Sequence, residues 1–324
     1  MFTELPDLAA LRLGGAVLAA NDEFFAPKEN LLKPGKPEWR EGEYTDRGKW
    51  MDGWETRRRR TPGHDWAILK LGLPGSVRGV VIDTSFFTGN YPEQASLDAW
   101  TRDAQPAAEG NDAGWVPLLP KSALKGDAAN LLEVTASPAR VTYLRLNIFP
   151  DGGVARLRVH GEPVPDAGLF RSGELVDLAA LASGGVVVAV SDRHYGNPQH
   201  LLLPGRSTHM GDGWETRRRR GPGHDWAVVR LARRGVLERV ELETDHFKGN
   251  APGSSMLESC DAGASFDPAT AAWEVLVPES PLTPDGRHHW EQLPRRAATH
   301  VRLNIYPDGG VARLRLFGRA DPAA

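Results

Sequence analysis

Glu55, Arg57, Arg59, His64 and Asp65 stand in one short stretch, DGWETRRRRTPGHDW (52–66). The stretch returns at 212–226 as DGWETRRRRGPGHDW, with Glu215, Arg217, Arg219, His224 and Asp225 in the matching places. Guanidinium groups grip planar carboxylates in a two-point fashion. Imidazoles and carboxylates move protons near neutral pH. A guanidinium cannot be buried alone, so these arginines must face carboxylates, a bound anion or water. If WETRRRR is an extended strand, Glu55, Arg57 and Arg59 share one face, and Thr56, Arg58 and Arg60 the other. Arg58 and Arg60 take over anion capture if the strand is turned. His64 and Asp65 open the next strand and are expected near the arginines, giving a compact Glu, Arg, His and Asp cluster built twice. Two readings stay open at this point: an ion-pair network that closes each domain, or a functional site.

A second duplicated motif is IDTSFFTGN (82–90) against LETDHFKGN (242–250). It sets Asn90 against Asn250, and Phe86 and Thr88 against His246 and Lys248. The second copy thus gains acid–base and cationic groups, with solvated loop residues as the plain alternative. TGN and KGN read as turns, with Gly89 and Gly249 expected at positive φ. The ten histidines are scattered, without paired metal-ligand spacing or a cysteine cluster, so no metal site is read. A divalent ion held by Glu, Asp and His at the duplicated cluster remains an option, and no cofactor is required.

The elements that position these groups come from a duplication. NIFPDGGVARLRVHG (147–161) matches NIYPDGGVARLRLFG (304–318), and GGAVLAANDEFF (14–25) matches GGVVVAVSDRHY (184–195). The first half carries an extra stretch around PEWREGEYTDRGKW (37–50). A Pro-containing hinge, GEPVPDAG (161–168), divides the chain into residues 1–163 and 164–324. Each half is long enough for its own core. Each reads as β. Leu144, Leu146 and Ile148 alternate with Tyr143, Arg145 and Asn147; HDWAILKLG and RGVVIDTSFF are short apolar runs rich in β-branched residues. LPDLAALRLGG and LVDLAALASGG offer one or two helical turns. The fold class is all-β, two tandem jelly-roll sandwiches, and the order of features resembles the galactose-binding-like, discoidin type. PDGGVARLR reads as turn and scaffold, with Asp151, Arg156, Asp308 and Arg313 as lesser candidates to border a site.

Composition bounds the function class. Of 324 residues, 40% are apolar and 25% charged, as in globular proteins, and the net charge of −3 offers no field for nucleic acid or anionic membrane. The single cysteine, Cys260, excludes an internal disulfide and suits a reducing, cytoplasmic setting; aligned with Trp100, it reads as core filler. The N-terminal stretch lacks the pattern of a secretory signal, and the longest apolar run, VVVAV (186–190), is too short to span a bilayer.

DGWETRRRR…GHDWAI, IDTSFFTGN, their second copies and LNI(F/Y)PDGGVARLR together resemble the allantoicase family over nearly the whole chain. The resemblance implies two jelly-roll repeats, hydrolysis of allantoate to ureidoglycolate and urea, and a homo-oligomer. Allantoate carries one carboxylate and two ureido groups on one carbon. Arg57, Arg59, Arg217 and Arg219 are the candidates for the carboxylate. Asn90, His246, Lys248 and Asn250 are further substrate contacts. Glu55, His64, Asp65, Glu215, His224 and Asp225 are the candidates for proton transfer. Two equivalent sites, one live site with a degenerate partner, and one composite site are all compatible with the sequence. A non-catalytic tandem jelly roll that binds a ligand or carbohydrate is the alternative, and fold alone does not decide between them.

Overall fold

A computed structural model describes residues 1–109, 113–171, 173–263 and 266–321. It divides into two compact units, Met1–Val164 and Pro165–Ala324. Every helical segment among the described residues is a 3-10 turn of three to five residues, including Leu11–Leu13 and Leu181–Ser183 where short helices were expected. Among the described residues no helix is long and apolar enough to cross a membrane.

Each unit is a jelly roll organised by one long strand. In the first unit, HDWAILKLG and RGVVIDTSFF are not two strands, as the punctuation predicts, but parts of one, Asp65–Asp83. Its first part pairs with Ala16–Ala20 and Val141–Phe149, and its second part with Arg156–Pro163 and Ala129–Glu133. The register shifts between Lys70 and Gly75. Such a bend lets one strand turn the corner between the two layers of a sandwich. Gly75 is needed there, because a Cβ would meet the Glu162 carbonyl at 2.3 Å. The second unit repeats this plan with Asp225–Glu243. Leu144, Leu146 and Ile148 fill the first core, as their alternation predicts, with Leu69, Val80, Ile82 and Leu157.

Past the long strand the chain forms the plug that explains the duplicated glycines. Phe87 and Phe247 are fully buried beneath a two-stranded ribbon, Trp54–Glu55 with Gly153–Val154 and its twin, Trp214–Glu215 with Gly310–Val311. A Cβ at Gly153 or Gly310 would lie 2.0 Å from that ring. DGWE, FxGN and PDGG are thus three pieces of one packing unit. Positive φ in the second motif falls on Phe86 (69°) and His246 (71°) rather than on Gly89 and Gly249. The Asp127 and Asp285 carboxylates accept the Phe86 and His246 amides at 2.8 and 2.7 Å and hold that conformation.

Asp52 and Arg156 form a buried ion pair, matched by Asp212 and Arg313. The arginines of PDGGVARLR are therefore scaffold. Burial pushes the Asp52 carboxyl up, but hydrogen bonds from Arg156, the Glu38 amide and Lys33 outweigh it and leave its pKa below the ordinary value. Its contribution is present at neutral pH and is lost as pH falls through that depressed folded value. Asp52→Asn leaves a buried guanidinium uncompensated and is expected to cost about 3–5 kcal/mol. Denaturant unfolding checks this; a loss below about 1 kcal/mol would show that the pair is dispensable.

Candidate active site

The four arginines do not lie on a strand. Only Trp54–Glu55 enters the ribbon, and Thr56 to Arg60 leave it. The cause is long-range. Asp22 Oδ1 accepts the Arg57 amide at 3.0 Å, and Asp151 Oδ2 accepts the Arg59 amide at 2.8 Å. Carboxylates replace the strand partner that those amides would need. Asp192 and Asp308 do the same for Arg217 and Arg219, at 3.2 and 2.7 Å.

The run therefore splits by residue. Arg57 turns onto Asp22, with its Nε 2.7 Å from Oδ2. Arg59 turns inward onto Asp65, its Nη2 donating to Oδ1 at 2.8 Å and to the His64 carbonyl at 3.1 Å. Asn21 donates to the same Asp65 oxygen at 2.8 Å. Asp65 is buried and these donors occupy it. Arg58 and Arg60 are exposed and carry no hydrogen bond or ion pair among the described residues, as do Arg218 and Arg220.

His64 leaves the expected cluster. Asp65 pairs in register with core-facing Ile148, whereas Asn147 is the next residue along that strand and faces the other way. His64 Nε2 lies 3.2 Å from Asn147 Oδ1, and Asn147 in turn donates to Asp98, which Arg145 also grips. The His64 ring lies against Phe149, with centroids 4.6 Å apart. Burial holds the His64 pKa below its ordinary value; the hydrogen bond to Asn147 opposes this, and the charges of Arg145, Arg59 and Lys121 reinforce it. The second unit repeats the chain as His224, Asn304, Glu258 and Arg302. The compact four-residue-type cluster is thus corrected to separate groups: adjacent residues on an extended chain face opposite sides.

Glu55 forms a third group. Its carboxyl accepts one hydrogen bond, from Asn90 Nδ2 at 2.7 Å; Asn250 and Glu215 repeat it at the same distance. The Asn90 carbonyl accepts the Gly153 amide at 2.8 Å, which fixes the amide side chain beside the ribbon. Burial raises the Glu55 pKa, and the single bond from Asn90 only partly offsets it. A half-buried carboxyl without a cation is suited to hold and return a proton.

In the second unit Arg217, Arg218, Arg219 and Arg220 line an open cleft of about 310 Å³. Asp192, Asp225, Ser191 and Gly221 complete its wall. That volume is at the lower end of small-molecule pockets, ~300–1,000 Å³. Of the residues expected in a site, Asp225, Arg217 and Arg219 meet there. Asp225 is held by Arg219 and by Ser191 Oγ at 3.0 Å. Glu215, His224 and Asn250 belong to the other groups. His246 Nε2 donates to the Ser207 carbonyl (3.0 Å), and exposed Lys248 lies 3.8 Å from Asp285. Asp22 and Asp192 were missed, although NDEFF and SDRHY align them. Among the described residues no group of three or more His, Cys, Asp or Glu is placed to hold a metal ion.

A family model described as an allantoicase repeat matches residues 6–164 and again 176–321. "Probable allantoicase 2" of Burkholderia pseudomallei is 50% identical over 318 residues, covering 96% of this chain and 94% of that protein. The allantoicase of Dictyostelium discoideum is 45% identical, covering 97% and 87%. The crystal structure of allantoicase from Saccharomyces cerevisiae superposes with a TM-score of 0.81 at 36% identity, covering 97% of this chain and 93% of that one.

Proposed function

The chain belongs to the allantoicase family, and from that premise we propose how its duplicated side chains hydrolyse allantoate to ureidoglycolate and urea. It is a hydrolase of purine-ureide breakdown. The observation that carries the assignment of residues is the Glu55 carboxyl, half-buried, bonded among the described residues by Asn90 alone, and three residues from a guanidinium that has no partner among them. Three residues of extended chain span at most about 10 Å. One small ureido acid can therefore reach both.

Arg58 and Arg60 take the substrate carboxylate; Arg218 and Arg220 are their copies in the second repeat. Arg57, Arg59, Arg217 and Arg219 hold the run in shape through their bonds to acids, histidine and backbone. Urea departs whole, so the bond that breaks joins the central carbon to a ureido nitrogen. Protonated Glu55 gives its proton to that nitrogen as the bond breaks. The lone pair of the remaining ureido nitrogen forms a C=N bond, leaving an acyliminium carbon and the Glu55 carboxylate. Water then adds to that carbon while Glu55 takes its proton. The products are ureidoglycolate and urea, and the acid is restored. Asn90 donates to Glu55 throughout and stabilises its charged form between the two steps. In the second repeat Asn250 bonds Glu215 with the same geometry. Asp65 and Asp225 anchor Arg59 and Arg219, and His64 and His224 brace the sheet.

Water labelled with ¹⁸O decides where the bond breaks. In a single turnover the label is expected in the ureidoglycolate hydroxyl and not in urea. Release of ammonia, or label in the ureido carbonyl, would move the cleavage to that carbonyl and remove this mechanism. The same proposal treats residues 1–163 and 164–324 as two domains with one copy each. It places the chain in a reducing cytoplasm, which buried Cys260 supports, and as a homo-oligomer, whose size light scattering reads.

A further inference from the structure

The two copies are not alike around their shared residues. In the first repeat the extra stretch forms a hairpin, Tyr44–Thr45 against Gly48–Lys49. Arg47 donates to the Phe24 carbonyl at 3.1 Å and lies over the Phe24 ring, 5.5 Å from its centroid. Trp39 lies against Phe86, with centroids 5.7 Å apart, and Lys49 Nζ sits 4.1 Å over Trp39. Phe24 and Phe25 precede the backbone that pairs with Glu55, and Phe86 begins the loop that ends in Asn90. The hairpin thus ties together both loops that flank the Glu55–Asn90 pair.

Among its described residues the second repeat has no such hairpin. A 3-10 turn, Met210–Asp212, stands in its place, and Tyr195, the counterpart of Phe25, is 57% exposed. Its arginine side is bonded differently. Asp22 grips the Arg57 guanidinium, but the Arg217 guanidinium turns instead to His194 Nδ1 at 3.3 Å. Among the described residues the Asp192 carboxylate receives only the backbone amides of His194 and Arg217. Asn21 spans Asp65 and the Trp66 amide, where shorter Ser191 spans Asp225 and Trp226. Thr61 is matched by Gly221. The cleft with all four arginines lies here, and no described residue bonds Arg218 or Arg220.

We propose that the repeats divide the work: the first hydrolyses behind its hairpin, and the second-repeat cleft is a separate, non-hydrolytic site for a small organic carboxylate, held by Arg218 and Arg220. The inference rests on the reading of Glu55 as the proton donor. Its ligand class follows from four guanidiniums facing a cleft that only two carboxylates border, one of them already held by Arg219. Bidentate arginine contacts match a carboxylate, and the volume suits a ureido acid or another acid of that size.

The test uses the full chain and allantoate itself. Turnover is measured for Glu55→Gln and Glu215→Gln singly, and equilibrium binding is titrated by calorimetry with Glu55→Gln. Glu55→Gln is expected to reduce kcat at least tenfold more than Glu215→Gln. Two equivalents of allantoate should bind each chain of Glu55→Gln, and one should remain after Arg218→Gln and Arg220→Gln are added. Equal losses of kcat in the two single variants, or one equivalent bound before the arginines are changed, would overturn the division. Unchanged kcat in both would instead sink the proton-donor reading beneath it.

Discussion

Glu55→Gln combined with Glu215→Gln is expected to lower kcat for urea release by about 10²–10⁴-fold, the share that a positioned acid–base group supplies. Glutamine keeps the shape and the oxygen that accepts from Asn90 or Asn250. It has no acidic proton to give the departing ureido nitrogen, so the loss falls on the chemical step. The pH profile provides a second readout. Burial, partly offset by the Asn90 bond, keeps the Glu55 pKa above its ordinary value. An acid acts only while protonated, so native turnover should fall as pH rises through that raised value. In the variant this alkaline fall should vanish. Stability moves in the same sense. A carboxyl with a raised folded pKa favours folding at low pH, and that contribution is lost as pH rises through the folded value. The glutamine variant should therefore be no less stable than the native chain at alkaline pH. A folded double variant with native kcat would remove both glutamates from the reaction.

What the sequence made legible is what local periodicity controls. Leu144, Leu146 and Ile148 reach the core because a strand repeats every second residue. The duplication and its two jelly rolls follow from letters that recur in order. The errors arise where a distant residue decides. WETRRRR has the look of a strand, but Asp22 and Asp151 take the amides of Arg57 and Arg59, and Asp151 lies 92 residues from Arg59. The positive φ moved from Gly89 to Phe86 because Asp127, 41 residues on, holds that amide. His64 and Asp65 were grouped because they are neighbours in sequence, yet neighbours on an extended chain point apart. The Glu55–Asn90 pair was in view as two members of two motifs. What joined them was the glycine ribbon over Phe87, whose ring leaves no room for a Cβ at Gly153.

Four consecutive arginines should give a distinct response at each position, and this is the sharpest test of how the site is built. Arg58→Gln with Arg60→Gln removes two guanidiniums that no described residue engages. A charge-assisted hydrogen bond contributes about 1.5–3 kcal/mol, so KM for allantoate should rise about 10–100-fold, with a smaller change in kcat and native unfolding. Arg59→Gln leaves buried Asp65 without its cation; its main effect should be a loss of about 3–5 kcal/mol of stability. Arg57→Gln breaks an exposed pair with Asp22, which is worth about 0–1 kcal/mol, and its KM should stay near native. Steady-state kinetics and denaturant unfolding on the same variants separate the three outcomes. If Arg57→Gln raised KM as strongly as the Arg58 and Arg60 pair, the substrate carboxylate would lie on the Asp22 side of the run. The bonded arginines would then be the ones that substrate recruits, and the unengaged pair would be only a solvated rim.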